Sequence, residues 1–216
     1  MKKAVIFDLD GTLTDTITAI THFANKALAE NGFGPISSDV YKYLVGDGRD
    51  TLVHRMLKEH NADTDENFEK VAKLYDEYYE ADPLYKTDAY EGIREAIIEM
   101  RSRGIKTAVC SNKPNNVAQD VIAKIFGDGY FDYIFGATEG IPVKPDAAPA
   151  LMAAKALGLS PEECLFTGDT KIDMATAKNA NMTAIGVLWG FREYEELKNS
   201  GADYIIEHPS EYKKFI

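Results

Sequence analysis

Cysteine is scarce in this chain of 216 residues, which has only Cys110 and Cys164. Each lies inside an apolar run, so the two read as small core residues in a reducing compartment, not as a disulfide framework. Long hydrophobic runs are also missing. No stretch approaches the roughly 18 apolar residues that a membrane span needs, which excludes a helical membrane protein. The apolar residues after Met1-Lys2-Lys3 give way to Asp8 too early for the hydrophobic region of a signal peptide. Positive charge is in deficit: 24 Lys and Arg against 35 Asp and Glu leave a formal charge of −11. Nucleic-acid affinity rests on Lys and Arg neutralising phosphates, so no nucleic-acid partner is expected. The acid surplus itself reads as a solubility device. These absences describe a cytoplasmic protein without a membrane partner, monomeric or homodimeric.

What the chain does contain is a series of short, continuous apolar runs. They are Ala4 to Phe7, Thr107 to Cys110, Tyr133 to Phe135, Cys164 to Thr167, Ala184 to Val187 and Tyr204 to Ile206. Continuous apolarity marks strands covered on both faces, as in a parallel sheet. Helical spacing appears between them, over Glu91 to Arg103, Asn116 to Phe126, Ala147 to Leu157 and Asp173 to Ala180. Strand alternating with helix predicts an α/β fold with a doubly wound, parallel, Rossmann-like sheet.

One connection breaks the rhythm. Roughly 70 residues from Asp15 to Tyr85 hold no convincing strand, whereas a βαβ crossover needs about a dozen. Three helical faces fill it: Ile17, Ile20, Ala24, Ala27 and Leu28; Leu52, Val53, Met56 and Leu57; Phe68, Val71, Ala72 and Tyr75. The expected division is a core of residues 1–15 and 86–216 with a helical cap of residues 16–85 over the sheet's carboxyl edge. The acids between Ala62 and Asp82 read as a solvated outer face.

Four segments carry chemistry, each predicted to leave the carboxyl end of a strand, where open α/β sheets bind ligands. The first is Asp8-Leu9-Asp10-Gly11-Thr12-Leu13-Thr14-Asp15. Acids crowded past a buried strand repel one another unless a cation sits among them, and oxygen-only ligands suit Mg2+. The same letters also fit an N-cap and turn cluster. The second, Ser111-Asn112-Lys113-Pro114, offers a hydroxyl at Ser111 and a backbone N–H at Asn112 to a phosphoryl oxygen. The third, Lys144-Pro145, supplies a point charge for a phosphate and for crowded acids. The fourth, Gly168-Asp169-Thr170-Lys171-Ile172-Asp173, pairs a glycine expected to give a tight strand exit with two acids one helical turn apart. Asp173 reads either as an early-helix acid facing the macrodipole or as a residue orienting Lys144 or a metal-bound water.

In order and spacing these segments resemble the motifs of the haloacid dehalogenase-like hydrolase superfamily, from Lys3 to Val187. The resemblance implies a magnesium-dependent phosphatase. Asp8 is then the nucleophile that forms an aspartyl phosphate, and Asp10 the general acid and base. Asp8 and Asp169, with the Asp10 backbone carbonyl, are the implied ligands of Mg2+; Ser111, Asn112 and Lys144 are the implied phosphate site. Gly11, Thr12, Gly168 and Asp173 support them.

Selectivity is expected from the insert, where Val45-Gly46-Asp47-Gly48-Arg49 resembles the specificity loop of phosphoglycolate phosphatase-like members. Gly46 and Gly48 allow backbone to approach a small ligand, and Arg49 offers a fork to a substrate carboxylate. The implied partner is a small phosphorylated metabolite, with 2-phosphoglycolate the first choice. A pyrophosphatase, a nucleotidase, a β-phosphoglucomutase or a phosphate-binding module without turnover are the alternatives.

Overall fold

The computed structural model describes residues 2–216. Its main sheet has six strands: β1 (Ala4–Phe7), β4 (Lys106–Pro114), β5 (Tyr133–Ala137), β6 (Cys164–Gly168), β7 (Thr183–Val187) and β8 (Tyr204–Ile206). Their order is β5-β4-β1-β6-β7-β8 and every neighbouring pair is parallel. The two-residue strands β2 (Thr14–Asp15) and β3 (Asp88–Ala89) form a separate antiparallel ribbon. Helices α5 (Ile93–Ser102), α6 (Asn115–Ile125), α7 (Ala148–Ala156), α8 (Lys171–Asn179) and α9 (Tyr194–Asn199) follow the strands. The α/β fold with a parallel sheet is therefore the one that the apolar runs predict.

Alternation along the strands divides the interior in two. Val5, Phe7, Val109, Leu165, Ile185 and Val187 point to one face, and Ala4, Ile6, Ala108, Cys110, Cys164, Phe166 and Ala184 to the other. The second face meets Ala150, Ala153 and Ala154 of α7, small side chains that let the helix lie close to the strands. Both cysteines are buried there and unpaired. The strand order reverses beside β1, so the residues leaving β1, β4 and β6 share one crevice at the sheet's carboxyl edge.

Between β2 and β3 stand four helices, α1 (Ile17–Glu30), α2 (Ser38–Leu44), α3 (Arg49–Glu59) and α4 (Asp65–Ala81), where the sequence predicts three. The additional one is α2. Its seven residues are too short to display a full apolar stripe, and only Tyr41 and Leu44 are buried. The β2–β3 ribbon also escapes the sequence, because two residues cannot show a period. Helix α4 keeps most of its acids in solvent, but Asp76 and Glu80 turn to the cleft, which corrects the reading of that stretch as wholly an outer face.

Polar contacts as well as apolar ones fix the entry to α2. Asn25 Nδ2 donates to the Ile36 carbonyl (2.8 Å), while Asn25 Oδ1 accepts from the Ile36 N–H (2.9 Å) and the Tyr41 hydroxyl (3.0 Å). Replacing Asn25 by Ala leaves three partly buried groups without this partner. Asn25→Ala is expected to cost about 1–3 kcal/mol in urea denaturation, and Asn25→Asp, which keeps the acceptor, less.

Candidate active site

Strand β1 delivers Asp8 into the crevice. The Asp8 N–H donates to the Thr167 carbonyl of β6 (2.9 Å), so the nucleophile candidate is still tied to the sheet. Asp8 is 7% exposed. Lys144 Nζ lies 2.7 Å from Asp8 Oδ1 and 2.7 Å from Asp173 Oδ1, with its side chain 2% exposed. Asp169, at the end of β6, is wholly buried. Its Oδ1 accepts from Thr12 Oγ1 (3.1 Å) and its Oδ2 from the Phe191 N–H (2.8 Å). Residues from opposite ends of the core chain, Asp8 and Asp169, thus meet because β1 and β6 are neighbours in the sheet.

Asp173 makes contacts in two directions. As the third residue of α8 its Oδ2 accepts from the N–H (3.0 Å) and hydroxyl (2.8 Å) of Thr170, closing a capping box, while Oδ1 holds Lys144. The tight-turn reading of Gly168 needs correction. A Cβ there would lie 2.2 Å from Asp173 Cβ, so the glycine is required by the close approach of Asp173. Gly11 combines both demands: φ is +86°, and a Cβ would stand 2.4 Å from Asp169 Oδ2.

The charges in this crevice do not balance. Oxygens of Asp8, Asp169 and Asp173 lie within 4.8 Å of one another, against the single ammonium of Lys144. Burial pushes the Asp8 carboxyl up to about 7, with Lys144 opposing the shift and Asp173 adding to it. Burial, then Asp173 and Asp8, likewise raise Asp169 well above the usual carboxylate range. Burial disfavours the charge of Lys144, but Asp173 and Asp8 more than offset it and hold the ammonium above its ordinary value. A hard divalent cation fits an oxygen-only, acid-rich cradle that glycine keeps open at Asp169.

Strand β4 brings the second segment. Its register against β5 shifts between Cys110 and Pro114, and such a bulge re-aims side chains beside a site. Ser111 Oγ accepts from the Lys113 N–H (3.2 Å), and Ser111 lines the cleft. At Asn112 the sequence points to the backbone N–H, whereas in the structure the side chain is a clip. Asn112 Nδ2 donates to the carbonyls of Gly46 (3.1 Å) and Lys144 (2.9 Å), and Oδ1 accepts from the Lys144 N–H (2.8 Å).

The insert's loop closes over these residues. Gly46 (φ +116°) and Gly48 (φ +91°) have backbone that side-chain-bearing residues avoid, and Gly48 caps α3. Arg49 lines the cleft, but its terminal nitrogens lie 2.6 Å from Asp50 and 2.6 Å from Asp76. A substrate carboxylate must compete with both. Arg192 secures the seam from the core side: its guanidinium donates to the carbonyls of Lys42 and Val45 at the end of α2 and pairs with Glu196.

Sequence reasoning misses four contributors. Lys113 Nζ approaches both Asp10 oxygens (3.1 and 3.2 Å) and donates to the Tyr79 hydroxyl (2.9 Å). Arg192 and the Phe191 N–H come from a tail segment with no motif. A lysine beside Ser111-Asn112 is the only signal of the four legible in the chain.

A strand-end carboxylate backed by a buried lysine, with further acids beside it and a helical insert above, is an arrangement on an α/β fold that suits phosphoryl-transfer chemistry. Comparison with known proteins gives the family. The model of the haloacid dehalogenase-like hydrolases matches residues 5–187. A phosphoglycolate phosphatase from Rhodospirillum rubrum is 34% identical over 88% of this chain and 81% of its own length. Another from Aquifex aeolicus is 30% identical over 99% and 96%. The crystal structure of a putative phosphoglycolate phosphatase from Lactobacillus delbrueckii superposes with a TM-score of 0.95 at 31% identity, covering 99% of this chain and 98% of that one. The chain belongs to the haloacid dehalogenase-like hydrolases and is a phosphatase.

The charge imbalance generates a test. Asp169→Asn removes one buried negative charge while its amide still accepts from the Phe191 N–H and donates to the Thr12 hydroxyl. In metal-free buffer its Tm is expected to equal or exceed the wild type's. Millimolar Mg2+ is expected to raise the Tm of the wild type by about a few degrees or more and to leave that of the variant unchanged.

Proposed function

We propose that this phosphatase hydrolyses a small phosphomonoester, 2-phosphoglycolate, with Mg2+ held by Asp8, Asp169 and the Asp10 backbone carbonyl. The observation that carries the reading is the position of Asp8, at a strand end with Lys144 2.7 Å away, in contact with the acid cluster and facing the cleft. When bound, the cation neutralises the crowded acids and the phosphoryl oxygens, so that anion can approach anion.

Asp8 attacks phosphorus as the ester's P–O bond breaks, and Asp10 gives its proton to the departing alkoxide. Asp10 then takes a proton from water as that water attacks phosphorus. The bond from Asp8 to phosphorus breaks and inorganic phosphate leaves. Ser111 donates its hydroxyl to a phosphoryl oxygen, and Lys144 holds Asp8 in line while countering charge on the phosphate. Residues 16–85 act as the cap that excludes water from the first step. Three considerations support the substrate: the names of the relatives, the resemblance of the Gly46 to Arg49 loop to the specificity loop of phosphoglycolate phosphatase-like members, and a cleft of about 90 Å³. Since roughly 10–15 Å³ of such space holds one water, the cleft suits a compact ligand. Two unpaired buried cysteines suit a reducing cytoplasm.

Purified protein with Mg2+ is expected to release phosphate from 2-phosphoglycolate at least about tenfold more efficiently than from pyrophosphate, nucleoside monophosphates or hexose phosphates. Asp8→Asn is expected to lose about a thousandfold or more in kcat. A wild-type rate in that variant, or preference for another member of the panel, rejects the corresponding part of the assignment.

A further inference from the structure

Two cations line the cleft, Arg49 and Lys113, and their situations differ. Arg49 stands at the rim, about one-third exposed, with Asp50 and Asp76 as its partners. The Lys113 side chain is 6% exposed and its ammonium has one acid beside it, Asp10. Both Asp10 oxygens face that ammonium, at 3.1 and 3.2 Å. Tyr79 of α4 completes the arrangement by accepting from Nζ at 2.9 Å, with its ring centroid 4.4 Å away. Lys144, which belongs to the nucleophile, is not among the cleft's lining residues.

Two consequences follow. With both oxygens on Lys113, Asp10 has neither directed at a leaving group. A buried ammonium that gives up Asp10 needs another anion in its place, because an unpaired charge at such a site is strongly disfavoured. A substrate with a second negative group supplies that anion.

Resting on the reading above of Asp10 as the proton donor, we propose that Lys113 is the specificity residue for phosphomonoesters bearing a carboxylate close to the ester oxygen. The substrate carboxylate takes over the ammonium, with Tyr79 holding it from the cap side, and Asp10 swings free to face the leaving oxygen. Substrates without the second anion leave Asp10 tied to Lys113, which couples recognition at one end of the molecule to proton transfer at the other. No covalent bond changes in this exchange. One ion pair replaces another, and the proton moves only in the phosphatase step.

The test uses the magnesium-loaded enzyme and a matched pair, 2-phosphoglycolate and its neutral amide, compared by kcat/KM. Wild type is expected to favour the carboxylate by roughly 10- to 100-fold, the range of a charge-assisted hydrogen bond. In Lys113→Gln that ratio is expected to fall to within about threefold of unity. Lys113→Arg is expected to retain most of the preference, and Tyr79→Phe to raise KM for the carboxylate several-fold more than for the amide. Equal losses on both substrates in Lys113→Gln overturn the proposal, as does a wild type indifferent to the carboxylate. If Lys113→Gln does not fold, an unaltered ratio in Tyr79→Phe overturns it instead, because the hydroxyl that holds the ammonium then has no bearing on selectivity. Failure of the wild type to hydrolyse any phosphomonoester is a different result and rejects the phosphatase mechanism beneath the proposal.

Discussion

Three buried carboxylates around one buried ammonium set the terms for the rest of this protein. Asp8, Asp169 and Asp173 crowd within 4.8 Å of one another, and Lys144 touches two of them. Such a cluster does not assemble for stability, since removing charges from water costs several kcal/mol per ion and mutual attraction rarely repays it in full. It persists because the surrounding structure holds each acid separately. Asp8 is fixed through the backbone of β1 on β6, Asp173 through the α8 cap, and Asp169 between the Thr12 hydroxyl and the Phe191 N–H. The energy of the parallel sheet thereby maintains an excess of negative charge that, in the proposed mechanism, a bound cation offsets.

Much around the cluster follows from that confinement. Glycines at 11 and 168 stand where a methyl group would collide with the acids, so their role is to admit carboxylates. The insert reaches the same place from above through Gly46, clipped by the Asn112 amide that also holds the Lys144 backbone at both its N–H and carbonyl. One side chain therefore registers the insert, the second strand segment and the lysine against each other. Arg192 does comparable work on the far side of the loop, neutralising the carbonyls at the end of α2. The two contacts join loop to core at Gly46 and at the residues just before it, so the position of the insert and the alignment of Lys144 are mechanically connected.

The chain's letters announce the sheet and the core acids because both follow short-range rules. Buried parallel strands need continuous apolarity, and an acid placed directly after one has few structural uses, so Asp8 and Asp169 stand out. Helix α2 and the β2–β3 ribbon stay hidden because their stability comes from contacts remote in sequence, such as Tyr41 with Asn25, and not from a local period. Lys113 and Arg192 fail to stand out for a different reason. A lysine after Ser-Asn and an arginine after Gly-Phe are ordinary in turns, and their significance comes from Asp10 and from the end of α2, 103 and 150 positions away. Asn112 is legible as part of a motif but not in its role, since the sequence cannot distinguish a backbone donor from a side-chain clip.

In the proposed mechanism the proton-transfer acid and the nucleophile stand two residues apart, a crowding that the fold resolves by division. Asp8 and Asp10 leave the same strand, and as free carboxylates in one pocket they would oppose each other and compete for one cation. Each instead has a lysine from a different segment: Lys144 from the chain ahead of α7 serves Asp8, and Lys113 from β4 serves Asp10. The first lysine is enclosed by core residues, whereas the second is completed by Tyr79 from the insert. Geometry at Asp8 is accordingly a property of the sheet, while geometry at Asp10 depends on where the insert lies. A core shared across a family can then keep its chemistry constant while substitutions in α4 and the loop before α3 alter which molecules bring the acid into position.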